Sequence, residues 1–168
     1  IGHVNKGRIK FCQIGYMMTK PMTLEEFRQL DCEFRQKRPK PFLLTPPDPK
    51  AEESTLFTIE NEFGFSLPIC YRQFLKEFGG GNFGFINVFS AEPQSEWYLP
   101  AMQKNAREYI PDNFLAFSDD YSGGYYGFKI STDQAMEPVF YWNTDGGLVS
   151  TDYANVFNFI IRFAYDPA

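Results

Sequence analysis

Few residues in this chain could do chemistry, and their types decide which kind. The 168 residues include one histidine, His3. A Ser-His-Asp or Cys-His arrangement needs an imidazole base beside its nucleophile, and here none is credible. Cys12, Cys32 and Cys70 are widely spaced, form no CxxC pair and make no zinc-ligand spacing with His3. We expect no catalytic residue, no metal and no cofactor. Gly79, Gly80 and Gly81 have the composition of a phosphate cradle but the wrong order. Phosphate loops place glycine before a helix N-terminus, where free N–H groups lie; this run follows a helical stripe and reads as its stop. What remains is carboxylates. Asp119 and Asp120 are adjacent, and Asp145 lies in a second turn sequence. Three readings apply to them. Asp side chains can bond backbone N–H groups of a turn, contact a partner, or share acid–base work. The catalytic version is a hydrolase or transferase using Glu92, Asp119 and Asp145.

Aromatic residues sit beside these acids. Tyr121, Tyr125 and Tyr141 are near Asp119, Asp120 and Asp145 in the expected hairpins, and Trp97 follows Glu96 in an expected loop. Tyrosine supplies contact area and carboxylates supply steering, which is the make-up of a protein-binding surface. We take Glu96, Trp97, Asp119, Asp120, Tyr121, Tyr125, Tyr141 and Asp145 as candidate partner contacts. The competing reading is packing: a second layer over the tyrosines, and Trp97 anchoring its loop in the core.

Charge narrows the partner. The net charge is -5, the wrong sign for nonspecific nucleic-acid binding. Residues 1–50 hold ten Lys or Arg against five Asp or Glu, and residues 90–168 hold four against eleven. An acidic C-terminal half attracts a basic partner, although such acids also serve simply to keep a surface solvated. No apolar stretch has the length of a membrane-spanning helix, and Ile1–Tyr16 lacks the apolar block of a signal peptide. The odd, scattered cysteines suit a reducing cytoplasm.

Several elements must position the candidate residues. A helix is expected over Met22–Lys37, with Thr23 and Glu26 as a T-x-x-E capping box. Five prolines over residues 39–49 then predict an extended linker between an N-terminal arm, 1–50, and a main domain, 51–168. Helices follow over Ala51–Phe63, stopped by Gly64, and after Pro68 up to the glycine run. Strands are expected over Phe83–Phe89, Asn113–Ser118, Tyr125–Ile130 and Val139–Asn143, with a short helix after Pro100 and a last helix over Tyr153–Tyr165. Alternation puts Tyr126, Phe128 and Ile130 on one face of their strand. In the next, we assign Phe140 and Trp142 to the helix side, leaving Tyr125 and Tyr141 outward. Helices first, strands next and one helix last predict an α+β fold. Its antiparallel sheet would have about four to six strands, with helices on one side.

Three segments together resemble a known family. IENEFGFSLPICYRQFLKEFGGG (59–81), FLAFSDDYSGGYYGFKIS (114–131), and EPVFYWNTDGG (137–147) with NVFNFIIRF (155–163) are similar, in order and spacing, to the SUKH superfamily. That superfamily takes in yeast cell-wall-assembly regulators and bacterial immunity proteins against polymorphic toxins. Phe78 or Gly79 stands where the family's usual Asn precedes the glycine pair. The resemblance covers about residues 51–165. It implies a cytoplasmic bacterial protein that binds rather than catalyses: an immunity protein that neutralises a cognate toxin, or a regulatory or scaffolding module without one.

Overall fold

The computed structural model describes residues 19–167; His3, Cys12 and the basic N-terminal segment lie outside them. The first described helix, α1 (Leu24–Lys37), starts where its capping box requires. Thr23 accepts from the Glu26 N–H, and the Glu26 side chain accepts from the Thr23 N–H. The proline-rich stretch is extended only in part. It contains a single helical turn, α2 (Lys40–Leu44), because Pro39 and Pro41 occupy the cap and first turn, where no N–H is needed. Both elements enter the same buried cluster as the rest. Phe27 stacks on Phe157 at 4.8 Å, and Phe42 meets Phe83 edge-on at 5.1 Å.

Helices α3 (Glu53–Phe63) and α4 (Ile69–Phe78) follow, ended by Gly64 and Gly79 at positive φ. The glycine run does more than stop α4. The strap from Thr45 to Lys50 crosses it, and the Asp48 N–H donates to Gly80 O at 2.8 Å. A side chain at Gly79 would collide with the Asp48 carbonyl.

Residues 83–89, expected as one strand, fold back as a hairpin of β1 (Gly81–Phe83) and β2 (Ile86–Val88). Gly84 permits the reversal at φ +58 and abuts the Ala164 carbonyl, where a side chain would collide. Helix α5 (Leu99–Ala106) carries Pro100 in its first turn. The main sheet is an antiparallel meander, β3 (Phe114–Asp119), β4 (Tyr125–Ser131), β5 (Gln134–Asn143) and β6 (Gly147–Ser150), in that spatial order. β5 begins five residues earlier than expected, after a two-residue turn, and β6 was not anticipated. Helix α6 (Val156–Phe163) closes the chain. It starts three residues later than expected because Asn155 caps it, bonding the Asn158 N–H.

The fold is α+β, with six helices among the described residues. Helices α4 and α6 cover one face of the sheet: Tyr71 and Phe159 pack on Phe117, and Tyr126 packs on Phe159. Tyr126, Phe128 and Ile130 do face the helices. The assignment of β5 is reversed. Cross-strand register pairs Tyr126 with Tyr141 and Phe128 with Val139, so Ala135, Val139 and Tyr141 face the helices. Trp142 lies on the opposite face, beside Phe114 at 6.3 Å, and Phe140 carries the Lys129 ammonium at 4.3 Å. Alternation defines two faces but does not say which is inside; the small Ala135 and Val139 fit under the helices where Trp142 would not.

β3 is an edge strand whose free backbone groups are matched by side-chain amides. The Gln103 amide donates to Ala116 O and accepts from Ala116 N. Asn87 does the same for Asp119, both bonds at 2.8 Å. This closes the edge against unwanted pairing.

Candidate functional site

The candidate residues converge at one end of the sheet, where the β3–β4 and β5–β6 turns lie side by side. A Cβ on Gly123 would stand 4.0 Å from Thr144 Oγ1. Asp119 and Asp120 each build their turn. Asp119 Oδ1 accepts from the Tyr121 N–H at 2.6 Å. Asp120 Oδ1 accepts from the N–H groups of Ser122 and Gly124 at 2.7 and 2.8 Å, and Oδ2 from the Tyr141 hydroxyl at 2.5 Å. Burial alone would raise the Asp120 carboxyl, but these hydrogen bonds outweigh it and hold the group below its ordinary range. Tyr141 is the other half of the joint: its bond to the carboxylate, then burial, push the phenol up to about 12. Asp120 is thus a fixed anion with its oxygens engaged, a poor proton carrier and a good anchor.

The anchored turn holds Tyr121 at φ +63, and the residue is 61% exposed. A left-handed tyrosine is unusual and is tolerated here because the flanking carboxylates bond the turn's N–H groups. Trp97 stands edge-on to Tyr121 at 6.0 Å and stacks on Phe89 at 6.2 Å. Its Nε1 donates to Asn82 Oδ1 at 3.0 Å, and Asn82 Nδ2 donates to Glu96 Oε1 at 3.3 Å. Trp97 therefore anchors its loop and also backs the exposed Tyr121. Asp145 tops the neighbouring turn, exposed, with its N–H donating to Asn143 Oδ1.

The two strand tyrosines separate. Tyr141 is on the helix side, tied to Asp120. Tyr125 is on the outer face, paired in register with Trp142, and its phenol is raised by burial and then by Asp119, Tyr109 and Asp120. Glu96, Trp97, Asp119, Asp120, Tyr121 and Asp145 cluster about the turn-bearing end, with Tyr141 beneath it as support and Tyr125 around the corner.

Acidic side chains gather at this end, although other exposed carboxylates such as Glu33, Glu62 and Asp133 also lack an ion pair among the described residues. Among the described residues Asp31, Glu53, Glu60 and Glu77 each pair with an Arg or Lys. Glu96, Asp119, Asp120 and Asp145 form no ion pair there. A larger hollow of about 550 Å³ opens elsewhere, between α1, the strap and α4. Its charges mostly pair among neighbours, Arg35 with Asp31 at 2.8 Å and Glu77 with Arg28, so it offers little unbalanced charge. Among the described residues no group of His, Cys, Asp and Glu could hold a metal ion, and no helix is long and apolar enough to cross a membrane.

A SUKH-type family model, described as SMI1-KNR4 cell-wall, matches residues 53–160. The chain belongs to the SUKH family. A crystal structure of a protein from Pseudomonas syringae pv. tomato has the same fold, with a TM-score of 0.59, at 20% sequence identity over 72% of this chain and 86% of that one. No curated protein matches the sequence. The match encloses every candidate residue, from Glu96 to Asp145, and stops within α6.

Sequence reasoning missed residues that complete this end of the SUKH domain. Phe85 and Ile86 come from the unforeseen hairpin, and Phe159, Phe163 and Asp166 from α6 and the segment after it. The apolar stripe of the last helix was visible. Its partial exposure beside Asp119 was not, because the contact joins segments far apart in sequence.

Proposed function

We propose that this SUKH domain is an immunity protein: it binds a cognate bacterial toxin in the cytoplasm and neutralises it by protein–protein contact. The acidic end of the sheet would dock on a basic surface of the toxin. The observation that carries this reading is a cluster: Glu96, Asp119 and Asp120 lie about the exposed Tyr121, Asp145 tops the adjoining turn, and none of the four forms an ion pair among the described residues. Unpaired acids on a rigid turn speed encounter with a basic partner, and a backed aromatic ring supplies contact area. Toxins that act on nucleic acid need basic active sites, which such a surface complements.

Co-expression with the product of the adjacent upstream gene tests the proposal. The expected result is protection of the host cell and a co-purifying complex. Neither protection nor a complex would remove it. The family description, with its reference to the cell wall, supports a second reading as a regulatory module without a toxin partner. That reading expects no toxin gene nearby and a role for residues 1–50 in binding.

A further inference from the structure

Beside the acidic turn lies a groove of about 250 Å³. Its floor is formed by the half-buried Tyr126 and Phe163 over the buried Phe159, the three rings touching with centroids 4.7 to 5.7 Å apart. Phe85 forms a wall. It is 42% exposed, yet its backbone is fixed, because its N–H donates to Ala164 O at 2.8 Å. The rim carries three carboxylates, Asp119, Asp120 and Asp166.

The groove is smaller than the roughly 300–1,000 Å³ of small-molecule sites, so it suits one side chain better than a cofactor. Aromatic faces with an anionic rim match a long cationic side chain: the stem lies on the rings and the head meets the carboxylates. Arginine fits better than lysine, because its planar guanidinium stacks on rings and presents several donors to carboxylates. The chain's own arginines sit at the margins. Arg162 Cζ is 5.0 Å from the Phe163 ring centroid, and Arg38 Nη1 is 3.5 Å from Asp166 Oδ1. Arg38 and Asp166 are both largely exposed, so this long pair is readily displaced.

We propose that the groove between the β1–β2 hairpin, the end of β3 and the C-terminal end of α6 receives an arginine side chain of the partner protein. The proposal rests on the protein-binding reading above and adds the chemistry of one central contact.

The test uses the isotope-labelled full chain and the peptide acetyl-Gly-Arg-Gly-amide, followed through the backbone amide resonances of Phe85, Tyr121 and Phe163. Matched peptides carry lysine or the uncharged isostere citrulline in place of arginine. Saturable shifts are expected with arginine, weaker ones with lysine and none with citrulline. The double substitution D119N/D166N is expected to weaken arginine binding about fivefold or more, and Phe163→Leu about two- to fivefold. Arg38→Ala removes a competitor and is expected to tighten binding about twofold, a gain that misfolding does not produce. No saturable shift with arginine, an equal response to citrulline, or unchanged affinity in D119N/D166N would overturn the proposal. So would movement of the same resonances with protein concentration alone, which would assign the groove to a second copy of the chain. The titration needs no toxin. Protection in co-expression with a silent peptide titration would sink the groove and leave the toxin reading standing; the opposite pair of results would do the reverse.

Discussion

Replacing Tyr141 by phenylalanine removes one hydroxyl from the joint under the acidic turn, and the structure sets both the size and the pH profile of the loss. The hydroxyl donates to Asp120 Oδ2 at 2.5 Å, while Ser122 and Gly124 hold the other oxygen. A hydrogen bond to a charged acceptor contributes about 1.5–3 kcal/mol. Both partners are only partly buried, so solvent screening puts the expected loss at about 1–2 kcal/mol near neutral pH. For a domain of this size that lowers Tm by roughly 3–6 °C. The folded Asp120 carboxyl lies below its ordinary value, so its contribution is present above the unfolded pKa of about 3.9 and fades as pH falls through the folded value. The folded Tyr141 phenol lies near 12, so its contribution is complete below the unfolded pKa of about 10 and fades as pH rises toward the folded value. Urea unfolding of wild type and Y141F across the range from about pH 3 to about pH 11 should therefore show a stability difference with a central plateau that shrinks at both ends. A difference that is flat with pH, or missing near neutrality, would refute this account of the joint.

Three further outcomes follow from the same kind of argument. Gln103→Leu strands the buried backbone groups of Ala116 and should cost about 2–4 kcal/mol in denaturant unfolding; a loss under about 1 kcal/mol would mean water replaces the amide. Thr23→Ala breaks the capping box of α1 and should cost about 1 kcal/mol, read as a lower Tm; no change would show that α1 is held by packing alone. Gly79→Ala combines a collision with the Asp48 carbonyl and a left-handed φ, and should cost more than about 2 kcal/mol or release the strap to proteolysis. Wild-type stability and protease resistance in that variant would contradict the packing of the strap on the glycines.

Local chemistry was legible in the sequence and long-range geometry was not. Thr23, Gly64, Pro68 and Gly79 marked helix boundaries because capping and stopping depend on neighbours within a turn. Asp119 and Asp120 announced a turn for the same reason. The β1–β2 hairpin escaped notice because an apolar run broken by one glycine looks like a strand until the close approach of Ala164 is known. β6 is four residues long, too short for alternation to register. The side of β5 that faces the helices depends on the small Ala135 and Val139 fitting beneath them, a fact of volume rather than of period. The acids and tyrosines of the candidate surface could be named from sequence, but the groove could not: Phe85, Asp119 and Phe163 come together only when the sheet, hairpin and last helix are assembled. Gln103 and Asn87 carry no pattern at all, since an amide that closes a strand edge resembles any other polar residue.

The turn-bearing end is the proposed docking surface, and several of the other surfaces are already engaged. Gln103 and Asn87 occupy the β3 edge, α4 and α6 cover one face, and Ser66 ties the opposite end by bonding Asp133 and Ala135 at 2.8 and 2.9 Å. The β6 edge is open but short, which limits strand addition there. At the turn-bearing end the carboxylates differ in what the fold asks of them. Asp120 is needed for the turn, so its replacement would confuse stability with binding. Asp145 is not: the turn uses its backbone N–H, and its exposed carboxylate forms no ion pair among the described residues. Asp145→Lys should leave unfolding within about 0.5 kcal/mol of wild type; under the proposed toxin-binding reading it should slow association with the partner roughly two- to tenfold at low salt, with the effect fading as salt rises. Stopped-flow association at two ionic strengths reads this directly. An unchanged rate at low salt would place the docking surface elsewhere, and a large loss of stability would mean that this carboxylate, too, serves the fold.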